Sequence, residues 1–166
     1  MQPATLATLF HDTLRDIYYA ENKILKSLPK MTEAVQSVDL ADAFDLHRSE
    51  TAVQIERLEK VFEMLGKPPE GKTCAAINGL LDESEEVMTT YKGTPALDAG
   101  LVAVAQAIEH YEIARYGTLV SWATTLGLAD AAMLLEENLG DESMTDEALT
   151  ELAEGSINEA AMEEPL

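Results

Sequence analysis

The stretch DAGLVAVAQAIEHYEIARYGTLVSWA, residues 98–123, carries two glutamates in the middle of an otherwise apolar helical pattern. With coiled-coil spacing, one face of this helix comprises Val102, Ala105, Glu109, Glu112, Tyr116, Leu119 and Ala123. A face of this kind turns towards the core of a helical protein. Because burying two uncompensated carboxylates is costly, either a cation lies near them or the helix is rotated so that they form a solvated edge.

A similar interruption occurs in a predicted helix 1, which runs from about residue 5 to about residue 35. Its apolar seam contains one carboxylate, Glu21, and the neighbours Ile17 and Ile24 place that carboxylate on the buried face. Pro29 also lies inside the pattern. It is a candidate position for a kink, because proline lacks the backbone donor that the preceding turn uses.

Helix 2 is predicted at about residues 40–65, where a glycine and two prolines follow the apolar pattern. Its seam is apolar at both ends and polar in the middle, where it contains His47 and Gln54. Glu50 lies on the flank of the same face, since residues three, four and seven positions apart stack on one side of a helix. The middle of helix 2 is therefore a third polar position in the core.

Helix 4 begins at about residue 128, and its seam continues through Leu139 to Glu142 and Asp146. Two acidic residues thus lie on the face that the flanking apolar residues turn towards the core. Gly140 is expected to bend or interrupt the helix, with a second segment starting shortly after it.

The connection over residues 67–95 is long and contains a short amphipathic helix at about residues 74–90. Helix 3 then covers about residues 95–126, and a connection of this length allows it to run parallel to helix 2. No strand pattern is present, so we predict an all-α fold of four long helices with one long crossover between helices 2 and 3. We expect one domain over residues 1–155 and an acidic tail over residues 156–166.

The composition argues against several classes of partner. With 31 acidic and 11 basic residues the net charge is −20, which repels nucleic acid and anionic membranes. The charge either attracts cations or serves solubility in salt. The single cysteine suits a reducing compartment, and no signal peptide or membrane-spanning run is evident. We therefore expect a cytoplasmic protein with no nucleic-acid or membrane partner.

The polar interruptions lie at matching depths, and residues at the midpoints of antiparallel helices meet at one level. The candidate metal ligands are Glu21, His47, Glu50, Gln54, Glu109, Glu112, Glu142 and Asp146. Oxygen ligands with one or two imidazoles suit iron or manganese and, less selectively, zinc or magnesium. Di-iron carboxylate bundles use Glu-x-x-His pairs. This chain lacks them, because Val53 follows Glu50 and Thr145 follows Glu142 at that spacing.

Several candidates also have a purely structural interpretation. A single histidine on an apolar face, such as His47, is more often a hydrogen-bonded core residue than a metal ligand. Gln54 is equally a hydrogen-bond partner of a neighbouring helix backbone. Tyr116 shares the carboxylate seam and is either core packing or a hydrogen-bonding or redox group. His110 lies off the main seam. Glu21 is the acidic residue that is hardest to explain without a cation.

Four stretches resemble the YciF/YciE family of bacterial ferritin-like proteins: DIYYAENKILKSLPKM (16–31), HRSETAVQIERLE (47–59), EHYEIARYGTL (109–119) and DEALTELA (146–153). The resemblance covers nearly the whole chain. It implies a ferritin-like four-helix bundle, a homodimer and a link to bacterial stress responses. The family's relation to rubrerythrins and ferritins suggests a divalent metal at the candidate ligands, iron or manganese, with zinc as a further option.

Two functions fit these residues, and whether the protein is an enzyme is left open. The first is a metal-binding stress-response protein with a di-metal carboxylate site that is redox-active towards iron or peroxide. Glu50 and Glu142 would bridge the metals, and Glu21 with Glu109 or Glu112 would be terminal ligands. The second is a non-enzymatic bundle that acts by oligomerisation or partner binding, with its buried carboxyls protonated or hydrated.

Overall fold

The computed structural model describes residues 4–162, and most of them are helical. Within this range the elements follow in this order: α1 (Leu6–Ala34), α2 (Val38–Met64), α3 (Ala75–Thr90), α4 (Leu97–Thr125), α5 (Ala129–Leu152), a π-helical turn (Ala153–Ile157) and α6 (Asn158–Ala160). Residues 4–162 contain no strand, so the all-α prediction is confirmed. The predicted helices 3 and 4 are α4 and α5, and α3 is the short helix in the long connection.

Local sequence explains where the long helices begin and end. The side chains of Thr5 and Ser37 each accept a hydrogen bond from a backbone N–H of the first turn of α1 and α2. Gly66 and Gly127, which follow α2 and α4, have φ angles of 62° and 74°. This left-handed conformation ends a helix and strains any residue with a side chain.

The four long helices surround the core, with α1 and α5 each packed against both α2 and α4. The helix α3 lies outside this group and covers α1 and α4. It approaches α4 so closely at Gly100 that an added Cβ would lie 2.8 Å from a methyl group of Val87. The apolar seams bury the largest side chains of the core, which include Phe10, Phe44 and Phe62.

The helix α5 corrects two details of the sequence analysis. It is continuous from Ala129 to Leu152, so the expected interruption at Gly140 is wrong. A glycine in a helix costs only about 1 kcal/mol relative to alanine, which is small beside the burial of Leu135 and Leu149 on either side. The buried face is also shifted by one residue in the middle of α5. Asn138 is buried there, whereas Leu139, which belongs to the predicted seam, is only half-buried. A coiled-coil repeat of 3.5 residues drifts from the 3.6 residues of a straight helix turn.

The C-terminal part remains helical past residue 155. The π-helical turn there places Ile157 in the core. The helix α6 and residues 161–162 follow it. Residues 163–166 of the predicted acidic tail and residues 1–3 of the predicted domain lie outside the described residues. Pro29 lies within α1, which continues through it as one helix.

The outer faces of the helices are mostly polar. Where an ion pair joins two helices there, as Lys30 and Glu85 join α1 and α3, both side chains are more than half exposed. Such pairs are worth about 0–1 kcal/mol, so the fold does not depend on them. None of the helices in residues 4–162 is long and apolar enough to cross a membrane.

Candidate metal centre

The polar seam positions of the four long helices meet in the core. Six of the eight predicted ligands are buried, with exposed fractions of 5% or less: Glu21, His47, Gln54, Glu109, Glu112 and Glu142. Each lies between apolar seam residues of its own helix, and burial of those residues carries the polar groups inside. The alternative in which Glu109 and Glu112 form a solvated edge is therefore wrong.

Four of these residues form a compact cluster, which we call the carboxylate–histidine cluster: His47, Glu109, Glu112 and Glu142. Each offers one ligand atom, and these four atoms lie within 4.8 Å of one another. Nε2 of His47 is 3.1 Å from Oε1 of Glu109. Because ligand atoms about 2.0–2.2 Å from one ion lie at most about 4.4 Å apart, a small contraction brings all four onto a single ion. The cluster can therefore hold a metal ion.

Nine buried side-chain atoms at this level have no hydrogen-bond partner within residues 4–162 outside their own group, whose members interact only with one another, as Glu21 does with Glu112 and Glu109 with Glu142. They are Oε2 of Glu21, Nδ1 of His47, both amide atoms of Gln54, Oε2 of Glu109, and both carboxyl oxygens of Glu112 and of Glu142. Elsewhere in residues 4–162, only one atom of His11 and one of Ser84 share this condition. Buried polar atoms without partners are uncommon and costly in proteins. Their concentration at one level, with an excess of acceptor oxygens, gives a site that could hold a cation.

Electrostatics support the same conclusion. Burial raises the pKa of Glu109 to about 8. Burial, followed by the charge of Glu142, raises the pKa values of Glu21 and Glu112 well above the ordinary range. Burial and then the charge of Glu109 do the same for Glu142. These shifts favour the protonated carboxyls in the absence of a cation, and a divalent ion would replace the protons.

His47 is shifted in the opposite direction. Burial lowers its pKa to about 4, so the imidazole is neutral at pH 7. A neutral imidazole nitrogen is the form that binds metals. The contact with Glu109 is thus a hydrogen bond between a neutral ring and a protonated carboxyl rather than an ion pair at this pH.

A chain of hydrogen bonds leads from the surface to Glu21. The Tyr116 hydroxyl donates to Oε1 of Glu21. It accepts in turn from Nδ2 of Asn138 at 3.2 Å, while Oδ1 of Asn138 accepts from Arg57 at 3.0 Å. The hydrogen-bonding interpretation of Tyr116 is therefore confirmed. This chain orients the Glu21 carboxyl, as outer partners commonly orient metal ligands.

Sequence reasoning missed Asn138 and Arg57. A signal for Asn138 exists, because it precedes Glu142 by four residues and so shares its helix face. This signal was overlooked because the apolar residue Leu139 fits the coiled-coil spacing better than Asn138 does. Arg57 carries no such signal, since its contacts with Asn138 and Asp141 join residues more than 80 positions apart.

The two remaining predicted ligands lie at the margin of the cluster. Glu50 is half-buried and accepts a hydrogen bond from Thr145 at 3.2 Å. The carboxylate of Asp146 lies 3.1 Å from the exposed His110 ring and 3.3 Å from the Gln106 amide. Neither is one of the four clustered residues, although the charges of both contribute to the raised pKa of Glu109. Their ligation of a metal stays a prediction.

The chain matches the family described as a domain of unknown function (DUF892) over residues 5–162. It is also similar to Protein YciF of Escherichia coli strain K12. The two are 40% identical over 162 residues, which covers 97% of this chain and 98% of YciF.

Solved structures give the same relationship. The crystal structure of the E. coli stress protein YciF matches with a TM-score of 0.89 at 39% identity, covering 94% of this chain and 99% of that one. YcfI, a proposed structural protein from Rhodopseudomonas palustris, matches with a TM-score of 0.87 at 46% identity, covering 90% of this chain and 95% of that one. A protein from Xanthomonas campestris matches at 0.73 and 22% identity, covering 93% and 94%, a likeness of fold alone.

Proposed function

We propose that this chain, which belongs to the YciF-like DUF892 family, is a ferritin-like stress-response protein that binds divalent metal in its core. The observation that carries the proposal is the convergence of the carboxylate–histidine cluster with nine buried polar atoms that have no hydrogen-bond partner outside their own group in residues 4–162. A purely structural core at this level would have apolar or mutually satisfied side chains instead.

The directions of the helices support a four-helix bundle with a crossover. Tyr18 contacts Glu59 and Thr32 contacts Asp45, so positions later in α1 pair with positions earlier in α2, as in antiparallel helices. Contacts of residue 16 with residue 115 and of residue 36 with residue 98 make α1 antiparallel to α4 as well. Helices α2 and α4 then run in the same direction, and the connection that contains α3 has to cross the length of the bundle.

The geometry supports a specific set of ligands. One ion fits His47, Glu109, Glu112 and Glu142. Glu21 lies close enough to Glu112 to interact with it directly, so a second ion would use Glu21 with Glu112 and Glu142 as shared carboxylates. One imidazole among several carboxylates suits iron or manganese, with zinc as a further option. Bound iron would supply one-electron chemistry towards peroxide or dioxygen.

Metal analysis combined with thermal melting tests the proposal. The purified protein is stripped of metal, incubated with Fe(II) under anaerobic conditions, Mn(II) or Zn(II), and its bound metal counted. We expect one or two ions per chain. A ligand at 100 times its Kd stabilises the native state by about 3 kcal/mol, which raises the Tm by roughly 5–10 °C for a chain of this size.

Glu142→Gln is the critical variant, and Glu136→Gln, an exposed position on the same helix, is its matched control. Replacing a central ligand by an amide should weaken metal binding by more than about 100-fold, beyond the 10–100-fold typical of outer partners. The control should bind like the original chain. Metal binding that is equal in both variants, or absent from the original chain, contradicts the proposed site.

A non-enzymatic function is the second candidate, favoured by the structural role proposed for YcfI. In that case no metal binds, the melting temperature does not respond, and the buried carboxyls stay protonated. The protein would then act by oligomerisation or partner binding. We also propose a cytoplasmic homodimer, whose mass is measured directly by light scattering of the purified chain.

A further inference from the structure

A small cavity lies against the carboxylate–histidine cluster. Two of its lining residues, His47 and Glu109, belong to the cluster, and the walls come from α1 to α5. About 20 Å³ of it is open to the centre of a water-sized sphere. Since one such molecule needs about 10–15 Å³ on this measure, the cavity holds one or two molecules of a few atoms and nothing larger.

The walls select for an uncharged and apolar occupant. Leu28, Phe44, Ile108 and Leu149 are among the lining residues, and apart from the two cluster residues the only polar side chains in the lining are two hydroxyls. Although four polar side chains belong to the lining, almost all of the wall surface that faces the cavity is apolar. A buried water needs two to four polar partners, and an ion would lose its hydration without replacement, so this wall favours neither of them. Apolar cavities of this kind bind gases such as xenon.

A surface groove lies next to the cavity. A groove between α1 and α3 shares three lining residues with it, Ser27, Met31 and Leu81. Ser84, which lines the groove, is 2% exposed, and its hydroxyl has no hydrogen-bond partner within residues 4–162. Ser27, Met31 and Leu81 thus separate the cavity from solvent between α1 and α3, and movement of these side chains would open it on the side of the cluster that His47 and Glu109 form.

We infer that this cavity is a binding pocket for a small apolar gas of the dioxygen type, which reaches the cluster between α1 and α3. The inference rests on the proposed function, because a gas held there has a reaction partner only when metal occupies the cluster. The inference specifies the size and polarity of a co-substrate for the proposed metal site and the side from which it would enter. Ser27, Met31 and Leu81 then control which molecules enter.

Xenon binding to the metal-free protein tests the pocket without any catalytic readout. Methyl resonances of Leu28, Ile108 and Leu149 are followed by NMR under increasing xenon pressure. We expect shifts that saturate with pressure in these methyl groups, and none at Met133 or Met144, whose side chains are exposed. Fe(II) binding is measured on the same preparation.

Two variants fill the cavity from different helices, so that a folding defect in one does not end the test. Ala105→Leu fills it from α4 and Ala43→Leu from α2. Their matched controls are Ala103→Leu and Ala52→Leu, exposed positions on the same helices. We expect at least a tenfold loss of xenon affinity in the filled variants and no change in the controls.

The outcomes separate the two proposals. Saturable xenon shifts that the filled variants abolish, together with bound Fe(II), support the inference. Bound Fe(II) without xenon shifts, or with shifts that the filled variants retain, overturns the pocket alone. Xenon binding without any bound metal overturns both delivery of a gas to a metal and the proposed function, although the cavity itself is then occupied.

Discussion

Two buried carboxyls in this protein differ in their hydrogen-bond partners. Asp98, at the start of α4, is 8% exposed, and each of its oxygens accepts one backbone hydrogen bond, from Gln36 at 2.9 Å and from Ser37 at 2.7 Å. Glu142, in the middle of α5, is completely buried, and within residues 4–162 its carboxyl interacts with the Glu109 carboxyl and the Gln54 amide but accepts from no backbone donor.

The difference separates a structural carboxylate from a proposed metal ligand. Asp98 joins the turn between α1 and α2 to α4, and its charge is satisfied by protein donors alone. Glu142 lies in the carboxylate–histidine cluster, and burial, followed by the charge of Glu109, raises its pKa. Its ionised form is satisfied only when a cation replaces the missing donors. Folding and metal binding should therefore depend on different acidic residues.

Removing the structural carboxylate should have the largest effect on stability. In Asp98→Ala the N–H groups of Gln36 and Ser37 lose a charged acceptor in a partly buried turn. We expect the free energy of unfolding to fall by about 3 kcal/mol, measured by urea denaturation of the metal-free protein. Metal affinity per folded molecule should not change.

Asp130→Ala is the matched control, because Asp130 also lies in the first turn of a long helix but is exposed. We expect a change below about 1 kcal/mol there, from the helix dipole alone. Equal losses in the two variants would mean that the contacts of Asp98 with the turn contribute nothing specific.

The pH dependence of stability should expose the carboxyls of the proposed metal ligands. The pKa of Glu109 is about 8 in the folded protein against an ordinary 4.5, so the folded state holds a proton that the unfolded state has lost. That contribution to stability is complete below the ordinary value and is lost as pH rises through 8. Between pH 6.5 and 8 we expect the metal-free protein to lose roughly 2 kcal/mol through Glu109, and the raised pKa values of Glu21, Glu112 and Glu142 act in the same direction.

The chosen window excludes the opposing histidine. The pKa of His47 is about 4 when folded and 6.5 otherwise, so its effect raises stability with pH only below about 6.5. Saturating metal should remove the decline above pH 6.5, because the ion displaces the protons. Asp98→Ala should keep the decline. Stability that is constant or rising from pH 6.5 to 8 in the metal-free chain would contradict the raised pKa values.

The seam of α4 shows how far the sequence predicts this core. All seven residues of that seam are buried, because apolar residues at both ends determine the rotation of the helix. Glu21 was predicted for the same reason, between Ile17 and Ile24. The depth of the cluster followed from matching helix midpoints, which needs only the rise per residue.

What the sequence did not predict depends on contacts between distant positions. Asp98 meets residues 36 and 37, about 60 positions away, and nothing in its own helix pattern marks that role. The marginal positions of Glu50 and Asp146 depend on a few tens of degrees of helix rotation, which a seam of 3.5 residues per turn does not resolve. The cavity beside the cluster depends on the shapes of side chains from several helices at once.

The smallest expected effect concerns Tyr116, whose hydroxyl orients Glu21 beside the cluster. In Tyr116→Phe, Glu21 loses its donor and Asn138 loses an acceptor. We expect about 1 kcal/mol lower stability without metal and roughly tenfold weaker metal binding, measured by titration calorimetry. Tyr111→Phe is the control, since its hydroxyl donates to Asp16 at 2.9 Å and contacts none of the cluster. It should lose stability but keep its metal affinity. If both variants lose affinity equally, the loss reflects a general loosening of α4, and the Tyr116 hydroxyl has no specific role in orienting Glu21.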